Sequence, residues 1–166
     1  MPSKYVFPGG AVDPGDHANP LPLSELCTGR LALACAPEAP SPEALAGAAI
    51  RELCEETGLR LLPTPQPALR FFFRAITPPG RSRRFDARFF LADASFIDGD
   101  LDDFSDAEDE LGHLHWIGLA EARALDLPFI TEVVLAEVTA HLAGAPDLGV
   151  PFFDNSGPVP TFRRLT

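Results

Sequence analysis

The residues between Ser41 and Gly58 define one helix at both of its ends. Ser41 is a favourable N-cap, and Pro42 suits the first helical position because no N–H is needed there. Gly58 readily adopts the left-handed conformation that ends a helix. Apolar residues recur in this segment at three- and four-residue steps, at Leu45, Ala48, Ala49 and Leu53. The pattern predicts a helix over residues 42–57 that buries one face.

Three glutamates crowd the last turns of this helix. Glu52, Glu55 and Glu56 are spaced so that their carboxylates project from one face. Negative charge is unfavourable near a helix C-terminus, and like charges four residues apart repel each other. A divalent cation such as Mg²⁺ or Mn²⁺ would reverse both effects, because these ions prefer hard oxygen ligands. The alternative is a solvated helix face on which Arg51 pairs with Glu55.

Residues 51–59 also carry a family resemblance. The segment Arg-Glu-Leu-Cys-Glu-Glu-Thr-Gly-Leu is similar to the second half of the Nudix box, and Phe7-Pro8-Gly9-Gly10 resembles the lead-in to its first half. The resemblance implies an α/β Nudix fold, with a mixed β-sheet sandwiched between helices. It also implies a metal-dependent hydrolase of diphosphate linkages.

The resemblance assigns roles to individual residues. Glu52 and Glu56 become the principal metal ligands, Glu55 shares the ion, and the carbonyl of Gly10 adds another oxygen. Asp16 reaches the metal from an outer position. Arg51 orients the carboxylates through charge-assisted hydrogen bonds.

The chain departs from the family pattern at two places. Asp16 stands where the family has glutamate, and the arginine expected at position 24 is Arg51, which gives 51 − 24 = 27 inserted residues, at about 17–43. An interrupted box resembles the branch acting on coenzyme A and acyl-CoA, as do residues 84–91 and 125–131. This implies cleavage to 3′,5′-ADP and (acyl-)4′-phosphopantetheine. The alternatives are a pyrophosphatase for ADP-ribose, NADH or an oxidised nucleotide, and a non-catalytic Nudix binding module.

The general base and the substrate contacts are open to more than one assignment. Glu110 is the first candidate for the base and Glu108 the second, since both lie in an acidic loop where family members carry such a residue; Glu52 is the alternative within the box. Arg74, Arg84 and Arg88 are candidates for binding substrate phosphate, because arginine recognises phosphate through two parallel hydrogen bonds. A charged outer face of a hairpin explains these arginines equally well.

Other segments have simpler patterns. We expect strands at 4–8 and 113–117, a hairpin of strands 69–76 and 84–92, and a helix at 129–142 buried through Val133, Val134, Val138 and Leu142. A short helix is expected within 21–34, and a loop-like tail after Gly144. Since a Nudix fold places strands before the glycine turn, these strands are expected to be missing or truncated. The sheet then lacks a neighbour on one side unless another segment of the chain or a second subunit of a homodimer fills the gap, and the sequence leaves open whether the natural N-terminus lies upstream of Met1.

The size and charge of the chain limit the remaining possibilities. Its 166 residues fit one domain, and a net charge of −11 disfavours binding to nucleic acid. No apolar run is long enough for a membrane span. Three cysteines without metal-site spacing indicate reduced thiols and a cytoplasmic protein. The family resemblance implies a small-molecule nucleoside diphosphate substrate.

Overall fold

The computed structural model describes residues 4–18, 21–108 and 112–166, which form a mixed α/β structure. The helices are α1 (Glu25–Ala32), α2 (Pro42–Thr57), α3 (Leu119–Ala122) and α4 (Phe129–Leu142). The strands are β1 (Arg60–Leu61), β2 (Leu69–Ile76), β3 (Asp86–Ala92), β4 (Ile97–Asp98), β5 (Val150–Asp154) and β6 (Thr161–Leu165). A 3₁₀ turn at Ala94–Phe96 precedes β4. Within the described residues, no helix is both long and apolar enough to cross a membrane.

The larger sheet has four strands in the order β3-β2-β5-β6. β2 and β3 are antiparallel, which confirms the expected hairpin, and their register shifts at a bulge between Phe71 and Phe73. β5 runs parallel to β2 over only three residue pairs and antiparallel to β6. A separate antiparallel pair is formed by β1 and β4.

Helices cover both faces of this sheet. Successive strand residues point to opposite faces, and Phe152 and Phe153 belong to different apolar clusters. Phe152 packs in a cluster with residues of α1 and α2, including Leu31 and Leu45. Phe153 packs beside Val134 of α4 in the other cluster.

The bounds of α2 agree with the sequence prediction because its capping signals are local. The Ser41 Oγ atom accepts a hydrogen bond from the Ala44 N–H at 3.2 Å. Gly58 has φ of 74° and donates its N–H to the Cys54 carbonyl at 2.8 Å, as expected for a left-handed cap. α4 also has the expected bounds, with Val134 buried. Its last residue, Leu142, was wrongly expected to be buried and is 69% exposed.

The insertion contributes to the core through α1. Cys27 and Leu31 are 5% and 2% exposed, and the Phe71 N–H of β2 donates a hydrogen bond to Cys27 Sγ at 3.2 Å. Arg30 of the same helix forms an ion pair with Asp147 at 2.9 Å. Arg30 and the nearby N–H of Gly149 lower the pKa of Asp147 to about 2. α1 is therefore a structural layer and not a peripheral loop.

The strands expected at 4–8 and 113–117 are absent. No strand occurs between residues 4 and 18, and residues 112–118 are irregular and largely exposed. Tyr5 donates its N–H to the Asp126 carbonyl at 3.3 Å, so this segment crosses a loop and does not join the sheet. Alternating apolar residues favour a strand only where a neighbouring strand offers a pairing edge.

The loop-like tail predicted after Gly144 is also wrong, because β5 and β6 occupy most of it. Pro151 and Asp154 make β5 a poor strand by composition. The structure overrides this tendency by placing β5 beside β2, on the side away from β3. Val150 and Phe152 are 2% and 1% exposed, so burial of apolar side chains stabilises the strand.

Leu31→Ala should lower the free energy of unfolding by about 2–5 kcal/mol, because it leaves a cavity in the core beneath the sheet. Leu26 lies in the same helix but is 58% exposed, so Leu26→Ala is the matched control and should change stability little. Urea unfolding followed by circular dichroism measures both. Equal losses in the two variants would show that α1 does not pack as described.

Candidate active site

The glycine turn lies against the C-terminal half of α2, as the sequence predicts. The Gly9 N–H donates a hydrogen bond to Glu56 Oε2 at 2.7 Å. Gly10 lies so close to Glu52 that a Cβ atom at position 10 would overlap the Glu52 carboxylate. Glu56 is only 6% exposed. Two segments 47 residues apart in sequence therefore meet at one group of carboxylates.

Arg51 connects most of the acidic side chains at this site. Its Nη1 atom donates to Glu52 Oε1 and Glu55 Oε2, both at 2.8 Å. Its Nη2 atom donates to the Ala11 carbonyl at 2.8 Å and its Nε atom to Asp16 Oδ1 at 2.9 Å. The hydrogen bond that Arg51 donates to Asp16 is the main cause that raises the pKa of Arg51 above its already high value. Arg51 thus contacts Glu52 and Glu55, its predicted orienting role stays a prediction, and the Arg51–Glu55 pair of the simpler interpretation is present.

Asp16 is held from two sides. Its side chain is 3% exposed, and Oδ2 accepts both the Asp13 N–H at 2.6 Å and Arg51 Nη2 at 3.3 Å. The hydrogen bond from Arg51 lowers the pKa of Asp16 although burial opposes this change. These contacts favour a role in which Asp16 orients the Arg51 guanidinium. Its predicted outer contact with a metal ion stays a prediction.

The acidic loop docks on the end of α2. The Glu108 N–H donates to the Glu55 carbonyl at 2.8 Å, which satisfies one of the unpaired carbonyl groups in the last turn of the helix. Asp106 and Ala107 lie 3.1 Å from the position of a Cβ atom on Gly58. Glu108 is therefore anchored beside the carboxylate group. Glu110, the first candidate for the base, lies outside the described residues.

The arginines of the hairpin form a second charged cluster. Arg74 donates to both Asp86 oxygens at 2.8 Å and to the Leu33 and Ala34 carbonyls at 3.0 Å. Arg88 pairs with Asp86 at 2.9 Å. The side chains of Arg74 and Arg88 are 3% and 4% exposed.

These contacts favour a structural role for Arg74 and Arg88. Burial opposes the charge of Arg74, but the hydrogen bond and charge of Asp86 raise its pKa overall. Arg84 is the exposed member of the three predicted substrate-binding arginines, and its Nη2 atom donates to the Thr77 carbonyl at 3.5 Å. Arg84 alone among them combines a surface position with a weakly held guanidinium.

An open groove of about 670 Å³ lies beside the Asp16–Arg51 contact. It is lined by Asp13, Pro14, Gly15, Asp16, Gly47, Ile50 and Arg51. The sequence interpretation missed Gly47, where the Asp16 carbonyl packs so closely against α2 that a Cβ atom would overlap it. The available signal was a glycine inside a helix, a position where glycine is unfavourable without a packing reason.

The residues at the site are chemically suited to a divalent cation. The carboxylates of Glu52, Glu55 and Glu56 are hard oxygen donors, and the backbone of Gly10 approaches the Glu52 carboxylate closely. Across the described parts of the chain, no three His, Cys, Asp or Glu side chains converge in a metal-ligating arrangement. In this arrangement the Arg51 guanidinium lies between Glu52 and Glu55.

Comparison of the chain with protein-family models, with curated proteins and with solved structures gives no match. The features of the chain that bear on its function are therefore the motif at 51–59, the turn at 7–10 and the contacts between them.

The stability difference between the wild type and Asp16→Asn should depend on pH. Because the pKa of Asp16 falls on folding, its charged form stabilises the fold above the ordinary value of 3.8. This contribution is lost as the pH falls through the lower pKa of the folded state. Urea unfolding between pH 7 and pH 3 should show the largest advantage of the wild type near neutrality. A constant difference would show that the Asp16 charge does not stabilise the fold.

Proposed function

We propose that this chain is a Nudix-type, metal-dependent hydrolase that cleaves a diphosphate linkage. The supporting observation is the meeting of the two motif halves, through the Gly9–Glu56 hydrogen bond and the close contact of Gly10 with Glu52. The mixed α/β architecture, with helices on both sheet faces, is compatible with a Nudix fold. In this proposal residues 1–166 form a single domain, and the insertion at about 17–43 supplies α1.

Glu52, Glu55 and Glu56, together with the Gly10 carbonyl, would hold Mg²⁺ or Mn²⁺. When bound, such an ion supplies neutralisation of the diphosphate charge and a water of lowered pKa. The three carboxylates repel one another at the negative end of a helix, and a bound cation would offset this repulsion.

The remaining residues hold the carboxylates and move the proton. Arg51 fixes the orientation of Glu52 and Glu55 through the two hydrogen bonds of its Nη1 atom. The base that takes a proton from water would be Glu110, Glu108 or Glu52. Anchoring of the Glu108 backbone to Glu55 supports a base in this loop, because it fixes the loop beside the carboxylate group.

Coenzyme A or an acyl-CoA is the proposed substrate, with 3′,5′-ADP and (acyl-)4′-phosphopantetheine as products. The interrupted box supports this assignment, and the exposed guanidinium of Arg84 is suited to a terminal phosphate. The proposal includes a cytoplasmic location, a small-molecule substrate and no nucleic-acid partner.

Another nucleoside diphosphate is the second candidate substrate. It is favoured by the pairing of Arg74 and Arg88 with Asp86, because two of the three arginines expected to bind phosphate are already engaged. ADP-ribose and NADH lack the 3′-phosphate that these arginines would recognise.

Hydrolysis rates with Mg²⁺ on coenzyme A, NADH and ADP-ribose separate the two substrate assignments. We expect coenzyme A to have the highest kcat/KM and Arg84→Ala to lower it selectively, through a higher KM. Equal or faster turnover of NADH would exclude the coenzyme A assignment but not the hydrolase.

Glu56→Gln should bind Mn²⁺ much more weakly than the wild type and should lose diphosphatase activity by about a hundredfold or more, since a lost ligand costs several kcal/mol. Glu43→Gln is the matched control, because Glu43 lies exposed in the first turn of the same helix. Isothermal calorimetry measures Mn²⁺ binding directly. Unchanged affinity in Glu56→Gln would show that the helix carboxylates are not the metal site and would favour a non-catalytic binding module.

A further inference from the structure

Helix α2 carries a glycine where its own composition favours alanine. Four alanines surround Gly47, at positions 44, 46, 48 and 49. Alanine is the better helix former, because glycine loses more backbone freedom on folding. The structure gives a packing reason, since a Cβ atom on Gly47 would overlap the carbonyl group of Asp16. The missing side chain admits the Asp16 peptide to the surface of the helix.

The turn that Asp16 forms with Asp13 does not by itself place Asp16 on α2. Residues 17–41, which contain α1, separate Asp16 from the start of α2. The close packing of its carbonyl at Gly47 and two hydrogen bonds from Arg51 hold Asp16 against α2. Within its own turn, the Asp16 carboxylate accepts the Asp13 N–H, and the Asp16 N–H donates to the Asp13 carbonyl.

Gly47 and Arg51 are four residues apart and therefore lie on the same side of the helix. The Asp16 peptide rests at Gly47, and its carboxylate reaches one turn further to the Arg51 Nε atom at 2.9 Å. This leaves the Arg51 Nη1 atom directed at Glu52 and Glu55. If Asp16 moves off the helix, Arg51 loses the acceptor of its Nε atom and one of the two acceptors of its Nη2 atom, and the Ala11 carbonyl alone remains on this side.

We propose that Gly47 is a positioning residue for the carboxylate group: by lacking a side chain it seats Asp16 on α2, and Asp16 fixes Arg51 against Glu52 and Glu55. The inference rests on the proposed function, in which these carboxylates hold a divalent cation. It adds a residue outside both motif segments on which the cation affinity depends.

The decisive comparison is between Gly47→Ala and Gly29→Ala. Both glycines lie inside helices, but a Cβ atom on Gly29 would have nothing within 4 Å. The Arg51 Nε–H proton, followed by NMR, should be protected from exchange in the wild type and in Gly29→Ala but exchange rapidly in Gly47→Ala. Mn²⁺ affinity, measured by calorimetry well below the unfolding temperature, should fall about 10–100-fold in Gly47→Ala only, as is typical when a contact supporting a metal ligand is lost. A change in thermal stability without these two effects would overturn the proposal.

A double-mutant cycle tests the route from Gly47 through Asp16. If Gly47 acts only by placing Asp16, then Asp16→Asn should weaken Mn²⁺ binding, and adding Gly47→Ala should weaken it no further. Additive losses would overturn the proposal. If Gly47→Ala cannot be purified, an unchanged Mn²⁺ affinity in Asp16→Asn alone would also overturn it, because the route passes through that carboxylate.

Mn²⁺ binding by the wild type distinguishes a failure of the proposed function from a failure of the role of Gly47. A wild-type chain that binds no Mn²⁺ would exclude the proposed function and this inference with it. A wild-type chain that binds Mn²⁺ with the same affinity as Gly47→Ala would exclude the role of Gly47 and leave the hydrolase proposal standing.

Discussion

Crowding of negative charge at the end of α2 is the constraint on which the site depends. Glu52, Glu55 and Glu56 project near the negative end of the helix, where both the helix dipole and their mutual repulsion oppose them. Glu52 and Glu55 accept hydrogen bonds from Arg51 of the same helix, and Glu56 accepts one from the Gly9 N–H of the distant glycine turn. The glycine turn and the Asp16 turn meet at this helix because their donors and carboxylates complete the same charge arrangement.

A similar arrangement ties the insertion to the sheet on a different part of the molecule. Arg74 is buried between Asp86 and the carbonyl groups that follow α1, and its guanidinium carbon lies 4.5 Å from the centre of the Phe152 ring. The unpaired carbonyl groups at the end of a helix carry partial negative charge, so an arginine there is favourable. At least one arginine of the hairpin, Arg74, therefore has a structural role, because it donates hydrogen bonds to the carbonyl groups that follow α1.

Local signals in the sequence determined which features could be predicted. The bounds of α2 follow from Ser41, Pro42 and Gly58, which act within one turn of the helix ends. The grouping of carboxylates with the glycine turn followed from the motif, and the structure brings these segments together. Strands β5 and β6 were missed because their stability comes from pairing with distant residues, which strand propensity does not report. The contact of Asp16 with Gly47 was missed for the same reason, since an intervening insertion hides their proximity.

The parallel pairing of β2 with β5 affects the order in which the sheet can form while the chain is being synthesised. β2 has its partner β3 directly after it in sequence, but its other neighbour arrives only with residues 150–154. During synthesis on the ribosome, this edge of β2 stays unpaired until residues 150–154 have been made. Contacts between distant segments form slowly and leave apolar surface open in the meantime. A nascent chain arrested before residue 150 would carry the carboxylate helix complete and the sheet unfinished.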